Sequence, residues 1–456
     1  MEQHLTSPSF VKSILTTTGG YDATQLSDLY ESINMFVLTM KETNCYETLS
    51  ATLLPAEDQK GNPIPGAVSV QIQAREKNWY KLRIGGGIKQ FSGSGGTMLP
   101  SDSLTVPTVQ FETSLNLLNL AGNAESISAS YNVDQGGTAD FNATHYSPLL
   151  SASAPGVSSR LSARYEEVDH SLLRSYTEAT RGVSWSLRSG ASSVMERGAF
   201  GDLEWSLQSR DVLPTLHPTI PYAADSSKET IAESGPNLKH SLKLTLSTNG
   251  GLTDSKFSPT RGVDLSLSGE VAGPPGDVGF AKAQASGSLH LPLLGPLSAH
   301  FLTSSGLVRP LTFGGYCLPV TLASDRFHIG GPMSLRGFKP SGVGPRSKVG
   351  PGSDGGDSLG GECFHTSTAM VSATLGGRGG MMGARVFGFG SGGLCCNWSD
   401  LTSVGDGLGR TRFSVGLGLA APTPVGRLEA TYSKVLRRGK EDITQPVQFG
   451  VSVNFG

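Results

Sequence analysis

The chain is poor in charged residues and contains no long apolar run. Asp, Glu, Lys and Arg make up 16% of its 456 residues, against about 25% in an average soluble domain. No stretch of about 18 or more consecutive apolar residues occurs, so we expect no transmembrane helix. The formal net charge of −2 provides no strong surface field, and we expect no binding to nucleic acid.

Cysteine is also scarce. The five residues are Cys45, Cys317, Cys363, Cys395 and Cys396, and their spacing matches no common set of metal ligands. We therefore expect reduced cysteines in walls and loops, and no metal site. The N-terminus lacks the basic and apolar regions of a secretory signal, which favours a protein made in the cytosol.

Signatures of catalysis are weak. No phosphate-binding P-loop pattern occurs. Residues 356–360 match the G-x-S-x-G nucleophile elbow, but that motif requires a helix after the serine, and the residues after Gly361 are predicted to form a strand. Gly388, Gly390 and Gly393 match G-x-G-x-x-G, again without a following helix. We expect no enzyme, no catalytic residue and no cofactor.

Glycine, by contrast, is abundant, with 60 residues, roughly twice the number that average usage gives. From Trp79 onward, apolar and polar residues alternate with a period of two, which is typical of strands with one apolar face. About sixteen such segments follow, each near the ten-residue length of a strand that crosses a bilayer at a tilt. A soluble sandwich would show similar alternation.

Backbone groups inside a bilayer must all be paired, so strands cross it only as a closed barrel. We therefore expect a mainly β protein, with a transmembrane antiparallel barrel of about sixteen strands over residues 78–456. The weakest strand segments are residues 138–146 and 360–375. The main loops are expected at residues 211–238 and 309–359.

The first 77 residues follow a different pattern and are predicted to form a small α+β domain. Phe10 to Leu15 could form a short strand. Asp22 to Thr43 has helical apolar spacing and is predicted to be helical, in one or two pieces, with Asp22 as N-cap. Tyr46 to Leu54 and Val68 to Glu76 are predicted strands on either side of the turn-rich residues 61–66.

A glycine- and proline-rich segment from Asp325 to Gly361 interrupts the strands, and long loops of this kind are usually functional. It contains F-x-x-G-G-x-x-S-L-R-G-F followed by G-D-x-L-G-G, which resembles the sixth long loop of the BamA-like outer-membrane assembly barrels. The residues that carry the resemblance are Ser334, Leu335, Arg336, Gly337, Phe338, Asp357, Gly360 and Gly361.

The end of the chain carries a second resemblance. Residues 448–455 resemble the β-signal in the last strand of mitochondrial outer-membrane barrels, with Gln448, Gly450, Val453 and Phe455 at the signal positions. In this setting the N-terminal domain resembles a single POTRA domain. Residues 254–262 also resemble a short turn that precedes a central strand in these barrels.

The resemblance implies that the protein inserts and assembles β-barrel precursors in the mitochondrial outer membrane, as part of the sorting and assembly machinery. The implied partners are β-barrel precursors, accessory subunits of the complex and the lipid bilayer. The POTRA-like domain would lie in the intermembrane space. Two alternatives stay open: a plastid envelope barrel that translocates proteins, and a solute-conducting pore.

The implied mechanism is pairing of the precursor's β-signal at a lateral gate between the first and last barrel strands. In the first strand, Gly85, Gly86 and Gly87 follow Arg83 and Ile84, and glycine weakens a strand because it has no side chain to pack. A weak seam can open and expose an edge for pairing. The same glycines could instead form a tight seam without a gate.

The resemblance also places Arg336 inside the barrel, on a loop between the eleventh and twelfth barrel strands. A buried guanidinium must be paired, because an unpaired buried charge costs several kcal/mol. The candidate partners are Glu429 and Glu362, of which we prefer Glu429. The alternative is a solvated arginine on the loop surface.

Overall fold

The structure, a computed structural model, describes most of the chain in a series of segments. These are residues 6–20, 23–43, 45–58, 62–89, 108–134, 139–148, 157–170, 174–190, 199–215, 226–248, 252–255, 258–347, 356–375, 384–401, 407, 409–423 and 426–453. Their helices and strands form a small N-terminal unit and one large sheet. No helix in these segments is long and apolar enough to cross a membrane.

The N-terminal unit consists of two helices followed by two antiparallel strands. They are α1 (Pro8–Thr17), α2 (Leu26–Glu42), β1 (Tyr46–Glu57) and β2 (Pro63–Glu76). Apolar side chains of both helices pack against β1 in a common core, which includes Phe10, Ile14, Phe36, Met40 and Leu49. The unit is therefore a small α+β domain.

The predicted strand at Phe10 to Leu15 is wrong, because these residues lie within α1. Ser7 caps the helix by accepting a hydrogen bond from the Phe10 N–H, and Pro8 suits the first helical turn. The second predicted helix forms in one piece and begins at Leu26. The expected N-cap, Asp22, lies outside the described residues.

The N-terminal unit contacts the barrel at the turn between β4 and β5, residues 119–125. The Ser7 N–H donates to the Gly122 carbonyl over 2.8 Å, and the Asn119 side chain donates to Thr6 Oγ1, also over 2.8 Å. We call this end of the barrel the near side and the opposite end the far side.

The other strands form one sheet of sixteen strands within the described residues. They are β3 (Tyr80–Lys89), β4 (Thr108–Leu118), β5 (Ser126–Asp134), β6 (Ala139–Ser147), β7 (Val157–Asp169), β8 (Tyr176–Gly190), β9 (Phe200–Pro214), β10 (Gly235–Ser247), β11 (Gly262–Ala272), β12 (Phe280–Pro292), β13 (Leu297–Pro310), β14 (Cys363–Thr374), β15 (Arg385–Cys396), β16 (Arg412–Thr423), β17 (Gly426–Arg437) and β18 (Val447–Val453). Each pairs antiparallel with the next. The predicted mainly β, sixteen-stranded antiparallel fold is confirmed.

The two faces of the sheet differ in polarity, with the apolar face on the outside, where a bilayer would contact it. Leu265 and Leu267 of β11 are exposed, and so is Phe449 of β18. The neighbour of Phe449 on the opposite face, Gln448, is buried. Apolar side chains therefore point outward and polar side chains inward, as in outer-membrane barrels.

The two segments with the weakest alternation both form strands, and one expected loop is shorter than predicted. β6 covers nearly all of residues 138–146 and continues to Ser147, and β14 lies within residues 360–375. The loop expected at residues 211–238 is shorter, because β9 and β10 continue to pair as far as Val212 and Gly235. A short helix, α3 (Lys228–Ala232), lies in that loop.

The long loop, residues 311–362, connects β13 to β14 on the far side of the barrel. These are the eleventh and twelfth strands of the sheet, which is the position that the resemblance implied. The loop is held in the barrel by residues of the surrounding strands, including Arg210 near the end of β9.

Candidate functional site

The long loop folds into the barrel, and its tip is packed as tightly as a protein core. Leu335 and Phe338 have no exposed surface and belong to an apolar cluster that joins the loop to the wall. Between them, Gly337 has a φ of +89°, which disfavours any residue with a Cβ. A Cβ there would also lie 3.1 Å from the Val435 side chain.

Arg336 at the loop tip pairs with Glu429 of β17. Its Nε and Nη2 atoms both donate to Glu429 Oε1, over 2.9 and 2.7 Å, and both residues are 6% exposed. The guanidinium carbon lies 5.1 Å from the centre of the Phe389 ring, and the Arg336 carbonyl accepts from Ser414 Oγ over 2.6 Å. The charge is thus paired within the barrel rather than solvated.

The second candidate acid, Glu362, has a different role. It is the last residue of the loop, directly before β14, and its carboxylate accepts a hydrogen bond from the Trp398 N–H over 3.1 Å. The structure therefore brings Arg336 to Glu429 and leaves Glu362 at the rim.

Gln448 of β18 fastens the last strand to the loop tip. Its Oε1 accepts from the Gly337 N–H over 2.9 Å, and its Nε2 donates to the Phe338 carbonyl over 2.7 Å. The side chain is 1% exposed. The turn between β17 and β18 adds backbone pairing, since the Gln445 N–H donates to the Gly337 carbonyl and the Lys339 N–H to the Ile443 carbonyl. The last strand and the loop thus form one bonded unit.

The other three β-signal positions are Gly450, Val453 and Phe455. A Cβ on Gly450 would lie 3.3 Å from Pro332 Cβ, so this glycine leaves room for the loop. Val453 is the last described residue of β18, and only its backbone is described. Phe455 lies outside the described residues.

The returning arm of the loop is held by Asp357. Its carboxylate accepts from the N–H of Ser227, the N-cap of α3, over 2.9 Å and from Thr230 Oγ1 in the first turn of α3 over 3.1 Å. It also accepts from Ser175 Oγ. Asp357 therefore ties the loop to the connections β7–β8 and β9–β10 on the far side.

Gly360 and Gly361 lie where the entering and returning arms of the loop come together. Gly360 has a φ of +72°, and a Cβ on it would lie 2.7 Å from the His328 ring. A Cβ on Gly361 would lie 2.6 Å from Cys395 Sγ, and Gly361 pairs with Phe327 through two backbone hydrogen bonds of 2.9 Å. The G-D-x-L-G-G motif therefore permits the close approach of the two arms.

Asp325, at the start of the loop, is a key residue that the sequence analysis did not identify. Arg210 of β9 donates to both of its carboxylate oxygens, over 3.2 and 2.7 Å. Lys239 of β10 donates to Oδ1 over 3.1 Å, and Lys282 of β12 donates to the Asp325 carbonyl over 2.8 Å. Three neighbouring regions of the wall therefore hold the entering arm.

The charges around Asp325 also control its protonation. Burial would raise the pKa of this carboxyl, but attraction by Arg210 and Lys239 outweighs burial and lowers its pKa to about 2. Asp325 is 2% exposed. The alternation of the strands predicts that these basic residues face inward, but it cannot show which acid of a distant loop reaches them.

At the seam, the described sheet ends at β3 on one side and at β18 on the other, with no ladder between them in the described residues. Residues Arg83 to Gly87 pair with β4 without interruption, from Ser114 to Gln110. Ile84 is 66% exposed, and a Cβ on Gly85 would meet no atom within 4 Å. At Gly85 the first strand is therefore not covered by any neighbouring side chain.

Below the loop tip lies a polar cavity of about 570 Å³, lined by Arg336, Glu429 and Arg385 among others. His290 and His300 also line it and hydrogen-bond to each other through their Nδ1 atoms over 2.8 Å. Among the described residues, no group of three or more potential ligands could hold a metal ion.

Comparison with known proteins gives one family. Residues 119–455 match the model described as the Omp85 superfamily domain. A SAM50-like protein of Schizosaccharomyces pombe is 25% identical over 469 residues, covering 99% of this chain and 88% of that protein. The sorting and assembly machinery component 50 homolog of Mus musculus is 31% identical over 242 residues, covering 49% of this chain and 47% of that protein. The chain thus spans about half the length of the mouse protein.

Among solved structures, BamA from Haemophilus ducreyi lacking POTRA domains 1–3 matches with a TM-score of 0.70 at 16% sequence identity. The match covers 97% of this chain and 81% of that chain. This likeness shows that the two chains share a fold.

Proposed function

The chain belongs to the Omp85 superfamily, and on that premise we propose that it inserts and assembles β-barrel precursors in the mitochondrial outer membrane. The BamA-like resemblance of the loop is confirmed by the family match and by the fold. The names of the relatives, as sorting and assembly machinery components and SAM50-like proteins, support the mitochondrial location.

One observation carries the mechanism: the loop binds the last strand, and among the described residues no hydrogen bond joins the loop to the first strand. Gln448 and Glu429 fix β18 and β17 to the loop tip. Within the described part of the chain, β3 pairs with β4 and with no other strand. The edge at residues 83–87 is therefore the one that can leave the seam and receive a precursor strand.

When β18 pairs with this edge, a precursor strand that takes its place replaces one ladder of backbone hydrogen bonds by another, so the net free energy of that exchange is close to zero. The free energy that drives insertion comes from the precursor. Its apolar outer surface becomes buried in lipid, which contributes about 25 cal/mol for each Å² removed from water. No catalytic residue, cofactor or nucleotide takes part. The docked loop fills the far side of the lumen, which favours lateral insertion over passage of solutes or proteins through the barrel.

We place the N-terminal domain in the intermembrane space, where precursors would approach the near side of the barrel. Accessory subunits of the sorting and assembly machinery complete the complex. Neither assignment is needed for the exchange at the seam, which involves residues of this chain and the precursor alone.

Depletion of the protein tests the proposal. Mitochondria without it should fail to assemble newly imported β-barrel proteins, while outer-membrane proteins with helical anchors insert normally. Assembly is followed by native electrophoresis of radiolabelled precursors. Normal β-barrel assembly with a defect in the transport of soluble preproteins or small solutes would contradict it.

A further inference from the structure

The described residues of the connection between β10 and β11 form a turn with internal hydrogen bonds on the near side of the barrel. Within its described residues, 252–255 and 258–261, the Asp254 carboxylate accepts hydrogen bonds from the N–H groups of Thr260 and Arg261, over 2.8 and 3.1 Å. Gly262 then starts β11 with a φ of +123°, and a Cβ on it would lie 2.1 Å from the Leu252 carbonyl oxygen. The turn therefore keeps its own shape.

Arg385, the first residue of β15, holds this turn across the barrel. Its Nη1 donates to the Pro259 carbonyl over 2.8 Å and its Nη2 to the Ser258 carbonyl over 2.5 Å. Arg385 is buried, and β15 lies four strands away from β11 in the sheet. The contact therefore spans the interior, and the planar guanidinium suits two adjacent acceptors better than a lysine would.

The turn and the long loop bound the same space. Pro259 lines the polar cavity of about 570 Å³, and so do Met333, Ser334 and Arg336 of the loop. The loop enters from the far side, whereas the turn belongs to the near side. The cavity thus lies between two inserted segments, each held by a buried arginine.

We propose that the β10–β11 turn is a second plug, which Arg385 holds across the near side of the lumen. With the loop at the other end, it obstructs the lumen on both sides of the cavity. Small polar solutes are then kept from passing through the barrel while the seam opens. This function is separate from assembly, since it concerns the lumen and not the edge of β3.

Thiol labelling of the purified full chain in nanodiscs tests the plug. Ser304→Cys places a thiol in the cavity, and the five native cysteines are buried. A sulfonated maleimide should label Cys at this position slowly, and several-fold faster when Arg385→Ala is added. Arg164→Ala is the control, because Arg164 of β7 lines a different polar site, beside Ser162 and Ser184. It should leave the rate unchanged.

Asp254→Ala is the second variant, because it loosens the turn without altering the wall. It should also increase the labelling rate, and it decides the matter if Arg385→Ala fails to fold. Rapid labelling of the protein that carries Ser304→Cys alone would overturn the proposal. So would a rate that Asp254→Ala leaves unchanged, or one that Arg164→Ala raises as much as Arg385→Ala.

Discussion

Arg336 Nη2 lies 2.7 Å from Glu429 Oε1 inside the barrel, and this pair joins a loop between β13 and β14 to a strand next to the seam. The two residues are 93 positions apart in the chain. Because both are buried, neither charge is stable there without the other. The pair therefore makes the position of the loop depend on the wall that carries the last strand.

Replacing Arg336 should release the loop tip. Arg336→Ala removes the arginine from a buried ion pair and leaves the Glu429 carboxylate without that countercharge, which we expect to cost roughly 3–5 kcal/mol. Assembly of precursors should fall sharply, and proteases should cleave the loop faster. The double variant Arg336→Ala with Glu429→Gln removes the buried negative charge as well and should recover part of the stability without the assembly. Unchanged stability and assembly in the single variant would contradict the docked loop.

Gln448 should matter through its side chain. Gln448→Ala removes two buried hydrogen bonds. The Gly337 N–H loses its acceptor, which costs about 1–3 kcal/mol for a buried group, whereas the Phe338 carbonyl keeps its hydrogen bond from the Gly331 N–H. We expect a lower melting temperature and weaker association of loop and last strand. Gln445→Ala is a matched control, because Gln445 binds Gly337 through its backbone N–H. Equal effects of the two substitutions would contradict the role of the Gln448 amide.

A locked seam should stop assembly without unfolding the barrel. Cysteines at Ile84 and Val451 should form a disulfide when the protein is oxidised, and reduction should restore assembly. Single cysteines along residues 83–89 should cross-link to a precursor's β-signal with a period of two, since a slip by one residue reverses the faces. Full assembly by the oxidised protein would show that the seam need not open.

Local patterns predicted much of this molecule. Strand alternation gave the sixteen-stranded sheet, because each strand has one face toward an apolar exterior. The L-R-G-F tetrad identified the loop tip, and Glu429 was preferred as the partner of Arg336. The sheet and the tetrad depend on a few adjacent residues. The choice of Glu429 depends instead on the family resemblance, which places Arg336 inside the barrel, and on the strand alternation, which places Glu429 on the inward face.

Features that depend on distant contacts were missed. The helix at Phe10 was mistaken for a strand, since its short apolar segment fits either period until Ser7 is seen as its cap. Asp325 and Arg385 were not selected, because their partners lie on other strands or turns. Single charged residues on an inward face do not reveal which loop they will meet.

Asp325 should make the docking of the loop dependent on pH. Its pKa falls from 3.8 to about 2 in the folded protein, so the carboxylate stabilises the fold fully above pH 3.8. That contribution, about 2 kcal/mol, should be lost as the pH falls toward 2. Asp325→Asn should remove this pH dependence and destabilise the protein at neutral pH, because Arg210 and Lys239 lose their shared acid.

Unfolding in detergent between pH 2 and 7 measures this effect, with Asp211→Asn as the control. Asp211 follows Arg210 in β9, so its side chain points to the other face of the strand, and its replacement should leave the acid part of the curve in place. If Asp325→Asn and the unmodified protein lose stability in parallel below pH 3.8, the ionic anchor of the entering arm is wrong. If only the unmodified protein loses stability below pH 3.8, the charge of Asp325 holds that arm.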